Sequence, residues 1–224
     1  MREFSWKVAA YEYSDLTEKA KEVVKEWYLE GQDSYTFTDM VKTDLSIVFP
    51  NSELDVEYSL SYCQGDGLNV YGTLSFEDMI GILKDKFNET EISILTWIGT
   101  WMSGWKLPSN SRYTYCICDQ HDYAEDIVWE LENSGVGNIP VNLINKFGKE
   151  VAEYMRDYCQ SWKKAGYQYF YEADDLTVDD WCCSNEYWFD ESGNIIATGD
   201  EELKRFVVHE IGSAICDFIY EVRV

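Results

Sequence analysis

Four places in this chain carry residue types able to do chemistry. Cys116, Cys118, Asp119 and His121 stand within six positions of one another, so two thiols, a carboxylate and an imidazole are close in sequence. A structural zinc site needs a second ligand pair at a defined spacing, and no such pair follows. The bland reading is structural cysteines on a strand followed by a polar turn. Asp174, Asp175, Asp179 and Asp180 could suggest calcium. Their spacing departs from the loop in which alternating acids lead to a glycine and a final Glu, and acids opening a helix are better explained by capping and the helix dipole. Cys182 and Cys183 are adjacent thiols, but the C-x-x-C spacing of a redox pair is missing. Gln64, Gly65, Asp66 and Gly67 lack the further glycines, the Lys and the following helix of a phosphate cradle, and read as a hairpin turn. Only His121 and His209 are available as imidazole bases, and neither sits in a recognisable triad. The expectation is a protein without catalytic residues, metal or cofactor.

The elements that position these residues follow from periodicity. A first strand is expected around Phe4 to Tyr13, then a helix in which Asp15 and Glu18 form a capping pair and Leu16, Ala20, Val23, Val24, Trp27 and Tyr28 share one face up to Gly31. A second helix, Phe37 to Phe49, has Met40, Val41, Leu45 and Val48 as its apolar side. Strict alternation from Leu54 to Tyr62 predicts a strand with a wet face of Asp55 and Glu57, paired through the turn with Leu68 to Leu74. Ser75 to Trp105 reads as helical and aromatic. Trp97, Trp101 and Trp105 are either core or an interaction patch. Arg112 to Cys118 reads as a strand and Ala124 to Glu132 as a short helix. Pro140 opens a long helix with Ile144, Phe147, Val151, Tyr154, Met155, Tyr158 and Trp162 along one stripe, ending near Gly166. Asp174 and Asp175 cap a short helix through Trp181. A hairpin turns at Asp190 to Asn194, and Glu201 to Val224 starts helical and ends β-rich. The fold class is α+β: a hairpin-containing antiparallel sheet packed with helices. Residues 1–168 form the main domain and 169–224 a smaller acidic unit packed on it, with one domain as the alternative.

Charge sets the functional classes. Lys and Arg total 18 against 42 Asp and Glu, a formal charge of -24, while 46% of residues are hydrophobic and 16% aromatic. The acid therefore decorates a packed body rather than a disordered chain. Such a surface repels phosphate, which excludes direct nucleic-acid binding and an anionic membrane as ligand. No apolar run approaches the roughly 18 residues of a membrane span, and the first residues lack the apolar core of a signal peptide. Together with seven cysteines in an odd, unpatterned set, this gives the expectation of a cytosolic protein with buried thiols.

The excess is concentrated. No basic residue lies between Arg112 and Lys146, where Asp119, Asp122, Glu125, Asp126, Glu130 and Glu132 fall. None lies between Lys164 and Lys204, where Glu172, Asp174, Asp175, Asp179, Asp180, Glu186, Asp190, Glu191, Asp200, Glu201 and Glu202 fall. Solubility needs a net charge of only about 2 to 8. Duplex DNA carries one charge per roughly 1.7 Å, so the whole excess matches about 40 Å of duplex, a density of nucleic-acid order. The six of the first stretch and those from Glu172 to Glu191 in the second are the candidate partner-binding residues, and the partner they suit is a protein or ribonucleoprotein that holds nucleic acid in a basic groove.

Three segments in this order resemble a family of bacteriophage and prophage proteins labelled antitoxin-like: Tyr11 to Lys21, the hairpin Tyr58-Ser59-Leu60-Ser61-Tyr62-Cys63-Gln64-Gly65-Asp66-Gly67 with its SYxQGDG motif, and the tail from Tyr171-Glu172 to Asn194. The Trp-rich middle departs from that pattern. The resemblance implies phage origin, action in the bacterial cytoplasm and a non-enzymatic role, with no catalytic residues to carry over. Joined to the charge, it implies an inhibitor of host defence of the anti-CRISPR or anti-restriction kind, with an antitoxin or regulator that neutralises a basic toxin as the alternative.

Overall fold

The computed structural model describes residues 9–102, 104–109 and 123–222, and residues 123 and 214–222 of these by backbone alone. The expected strand Arg112 to Cys118, like Asp119, His121 and Asp122, lies outside the described residues. The fold is α+β, with one antiparallel sheet of three strands and one of two among the described residues. Two compact units divide the chain: residues 33–168, and residues 1–32 together with 169–224. The first 32 residues, expected with the middle of the chain, group with the tail.

In the central unit, α2 (Ser34–Val48) is capped by Asp33, which accepts from the Thr36 N–H at 2.9 Å. Phe37, Val41 and Leu45 are its buried side; Met40, expected there, is 45% exposed. The strands β1 (Glu53–Ser59) and β2 (Gly67–Ser75) pair antiparallel with Val56 opposite Val70 and Tyr58 opposite Leu68. On β1, Asp55 ion-pairs with Lys42 at 2.9 Å and Glu57 accepts from the Asn69 amide at 2.9 Å, so the face expected to be wet is half-buried and partnered. A third strand, β3 (Gly104–Leu107), pairs with β2 and puts Trp105 opposite Leu74. The helical period expected from Ser75 to Trp105 therefore breaks into α3 (Phe76–Leu83), α4 (Glu89–Gly99) and this strand. Trp105 is core at 3% exposure, whereas Trp97 and Trp101 are 45% and 50% exposed.

Asn88 and Glu91 form a reciprocal capping box at the start of α4, and Glu91 also meets Lys146 at 3.1 Å. Replacing Asn88 with Ala removes the acceptor for two helix N–H groups, and urea denaturation should show a loss of about 1 kcal/mol. Then follow α5 (Tyr123–Asn133) and α6 (Val141–Tyr171), with Pro140 just before the first turn of α6. Ile144, Phe147, Val151, Met155, Tyr158 and Cys159 form the buried stripe of α6. Phe147 meets the rings of Phe76 and Phe87 at 5.3 and 5.9 Å. Asp44 accepts from the Tyr158 hydroxyl at 2.7 Å and the Trp162 indole at 3.0 Å. The helix does not stop at Gly166. That residue is buried, and a Cβ there would overlap Leu60, so the glycine serves close packing and not termination.

In the other unit, Tyr13–Asp15 forms a single 3-10 turn and Thr17, not the Asp15 and Glu18 pair, caps α1 (Glu18–Glu30) through the Ala20 N–H. The expected first strand is reduced, among the described residues, to one bridge between Tyr11 and Phe189. Helix α7 (Asp175–Ser184), strands β4 (Tyr187–Phe189) and β5 (Ile195–Thr198), and helix α8 (Gly199–Val222) complete it. Its core is Tyr13, Leu16, Ala20, Val24, Val178, Cys182 and Phe189. The β-rich end expected after Glu201 is helical to Val222. Leu203, Phe206 and Val207 are its half-buried side, at helical spacing, and the Val and Ile content lowers helix propensity by only tenths of a kcal/mol per residue.

Candidate functional site

The acidic run after Lys164 is folded onto three local devices. Asp174 caps α7, accepting from the Thr177 N–H at 3.0 Å and its hydroxyl at 2.6 Å, and those bonds hold its carboxyl below the usual range. Asp175 accepts from the Tyr13 hydroxyl at 2.9 Å and pairs with Lys25 at 2.8 Å; the bond from Lys25, then that from Tyr13, lowers its pKa. Asp190 closes the β4–β5 turn, accepting from the Ser192 and Asn194 N–H groups at 2.8 and 2.9 Å and from the Asn194 amide at 3.0 Å. Gly193 in that turn has φ +88, and a Cβ on it would overlap the Ala20 carbonyl of α1. These three acids thus have structural tasks in addition to charge. Glu172, Asp180, Glu186 and Glu191 are exposed, as are Asp174 and Asp175, and Asp179 is half-buried with one carboxylate oxygen buried and lacking any donor.

Four acidic residues border an open cleft of about 560 Å³. Glu12, Glu186, Asp200 and Glu201 line it with Tyr13, Tyr187, Trp188, Cys182, Cys183, Thr198 and Gly199. Among the described residues the side chains of Glu12, Glu186 and Asp200 have neither a hydrogen-bond donor nor a cation, while Glu201 pairs with Lys204 at 2.7 Å. Behind Tyr187 stands a ring cluster: Trp27 and Trp181 at 4.8 Å, Trp27 and Tyr187 at 5.0 Å, Trp181 and Tyr187 at 5.1 Å. Burial, then the charge of Asp179 and the neighbouring thiol, pushes Cys182 up to about 12. Burial, Asp179 and Glu12 raise Cys183 too. Both thiols are protonated at neutral pH, the wrong state for a nucleophile or a metal ligand.

No family model, curated protein or solved structure matches this chain.

On the central unit, α5 buries Ala124, Ile127 and Leu131 and exposes Glu125, Asp126, Glu130 and Glu132 around Trp129, which is 64% exposed. Asp119 and Asp122 fall outside the described residues. Among the described residues no group of three His, Cys, Asp or Glu is placed to hold a metal, and no helix is long and apolar enough to cross a membrane.

The motif turn has a structural centre. Asp66 is buried, and its carboxylate accepts from the Ser61 and Cys63 N–H groups at 2.7 and 3.1 Å, the Ser59 hydroxyl at 3.1 Å and the Tyr167 hydroxyl of α6 at 2.6 Å. Lys163 donates to the Asp66 carbonyl at 2.9 Å, and Tyr62 stacks on Tyr167 at 4.6 Å. Gly65, with φ +102, supplies the turn its left-handed step.

Sequence spacing placed the acids but missed Glu12 and Trp188 in the cleft and Lys163 and Tyr167 at the turn. Glu12, Lys163 and Tyr167 come from distant parts of the chain, and no local signal marks them; Trp188 stands two residues from Glu186 and was passed over.

Proposed function

We propose that this protein is a phage-encoded acidic inhibitor that binds the basic nucleic-acid groove of a host immune effector, of the anti-CRISPR or anti-restriction kind, in the bacterial cytoplasm. One observation carries the reading. Between Lys164 and Lys204, nine carboxylates, Glu172, Asp174, Asp175, Asp180, Glu186, Glu191, Asp200, Glu201 and Glu202, are exposed with no Lys or Arg in the stretch. The unit that holds them has 21 Asp and Glu against 8 Lys and Arg, a difference of -13, matching about 22 Å of duplex. A groove built to neutralise phosphates gains the same Coulomb attraction from these carboxylates, and the ordered fold presents them without the cost of ordering a chain.

The test is inhibition of DNA cleavage by an RNA-guided nuclease and by a restriction enzyme at about 50 and 300 mM salt. Inhibition should weaken with salt, and reversing Glu172, Asp180 and Glu191 to Lys should raise the half-inhibitory concentration by about 10- to 100-fold. Inhibition indifferent to both changes would end the mimicry reading. The exposed Trp97 and Trp101, with ring centroids 6.3 Å apart, favour the second reading, an antitoxin that covers a basic toxin through an aromatic patch. Alanine at both should then abolish neutralisation that the charge reversals leave intact.

A further inference from the structure

We propose, beyond both readings above, that two copies of this chain pair face to face through α4, each laying its Trp97 and Trp101 rings against the groove between α3 and α4 of the other. The groove holds about 290 Å³ and is lined by Phe76, Glu77, Ile80, Thr96, Gly99 and Thr100. A small-molecule site spans about 300–1,000 Å³, so this one is of side-chain size. Its polar groups are of one kind. The Thr96 hydroxyl donates to the Ile92 carbonyl at 2.8 Å and that of Thr100 to the Trp97 carbonyl at 2.7 Å, so both oxygens, like the Glu77 carboxylate, are left to accept. An apolar floor with acceptors and no spare side-chain donor fits an apolar group that carries a donor, and an indole is such a group. Two indoles stand on the adjoining ridge of the same helix. Trp97 and Trp101 are about half exposed, and among the described residues neither ring N–H has an acceptor. Knob and hole share one face, which is what a two-fold, self-complementary contact requires.

Charge selects a second copy as the occupant. From Ile92 to Trp105 the chain has no charged side chain, in a protein whose net charge is -24. A basic partner is drawn to carboxylates and gains little Coulomb attraction on such a face. A second copy is repelled by the acid elsewhere and meets least opposition here. Area sets the strength. A tryptophan buries about 150–250 Å² when fully covered, and half of each ring is already covered, so with the groove walls the face falls short of the roughly 800 Å² per partner of a standard complex. The pairing is therefore weak and reversible.

Sedimentation velocity of the full-length protein from about 1 to 300 µM, at about 50 and 300 mM salt, provides the test. Wild type should be monomeric at the dilute end and half paired at on the order of 10 to 100 µM. Salt screens the repulsion between copies, so the dissociation constant should fall by about threefold or more at the higher salt, opposite in sign to the expected behaviour in a basic groove. Trp97→Ala together with Trp101→Ala should weaken pairing by about tenfold or more. Thr96→Glu, which sets a second carboxylate in the groove, should do the same. Trp129→Ala, at the exposed ring of α5, should leave pairing unchanged, and circular-dichroism melts check that each variant folds. A monomer at every concentration, pairing that weakens with salt, or pairing untouched by both changes on α4 would overturn the proposal. Loss with the rings but not with Thr96→Glu would overturn the groove as their seat.

Discussion

Replacing Asp66 with Asn is expected to lower the thermal midpoint by on the order of 10 °C, far more than removal of any exposed carboxylate in the chain. Donors from three parts of the chain converge on this one group: the Ser61 and Cys63 N–H groups of the turn, the Ser59 hydroxyl of β1 and the Tyr167 hydroxyl of α6. An amide keeps the shape but turns an NH₂ toward hydroxyl and N–H groups that need an acceptor, so at least one buried donor is left unmet. The pH dependence follows from the same contacts. Burial pushes the Asp66 carboxyl up, but the bonds from Tyr167, Cys63 and Ser61 outweigh it, and its pKa falls well below the ordinary 3.8. A depressed pKa gives stability that is fully present above the ordinary value and is lost as pH falls through the folded value. The gap between wild type and the Asn variant should therefore be constant near neutrality and close below about pH 4. Tyr167 supplies the opposite limb. Burial and the bond to Asp66 push it up to about 12, so its share is fully present below the ordinary 10.0 and is lost as pH rises from there through the folded value. Circular-dichroism melts from pH 2 to 11 read both limbs; a pH-independent gap would sink the assignment.

That hub also shows where sequence reasoning reaches its limit. The turn is legible because Gly65, Asp66 and Gly67 act through their own backbone, and local chemistry is what sequence spacing encodes. Its anchors are not, because Lys163 and Tyr167 lie about a hundred residues further on and their own helix explains them equally well as stripe and surface. The same division holds elsewhere. Asp174 as the cap of α7 was legible, since its acceptor role is settled within three residues. Trp105 was not: the apolar period through Trp97 and Trp101 continues to it in register, and only pairing with Leu74 of β2 makes it a strand residue. The partition into units was half legible. Composition marks the start of the acidic tail, but nothing local says that Tyr11 bridges Phe189 or that Val24 packs with Val178. For the candidate site this means that the acids were visible as a charge count, whereas the cleft that sorts Glu12, Glu186 and Asp200 from the remaining carboxylates exists only once the chain has returned on itself.

Gly193→Ala should destabilise the unit formed by the two chain ends by about 3 kcal/mol or more, although it adds a single methyl group, because Gly193 is the buried residue of its turn. Two costs combine. At φ +88 an L side chain is strained, and the added Cβ would run into the Ala20 carbonyl, a backbone atom of α1 that cannot rotate away. Relief requires the β4–β5 turn to lift from α1. Phe189 on β4 shares its core with Ala20 and Val24, so lifting the turn loosens that core as well. Tyr187 and Trp188 ride on the same strand, so the lining of the cleft should loosen together with that core. Hydrogen exchange provides the decisive readout. Protection should fall in α1, α7, β4 and β5, while β2 and the stretch of α6 around Phe147 retain theirs, because the latter have their own core. Loss of protection spread evenly over β2 and α6 would mean that the chain unfolds as one cooperative body, and unchanged protection would mean that the close approach of Gly193 to Ala20 contributes nothing.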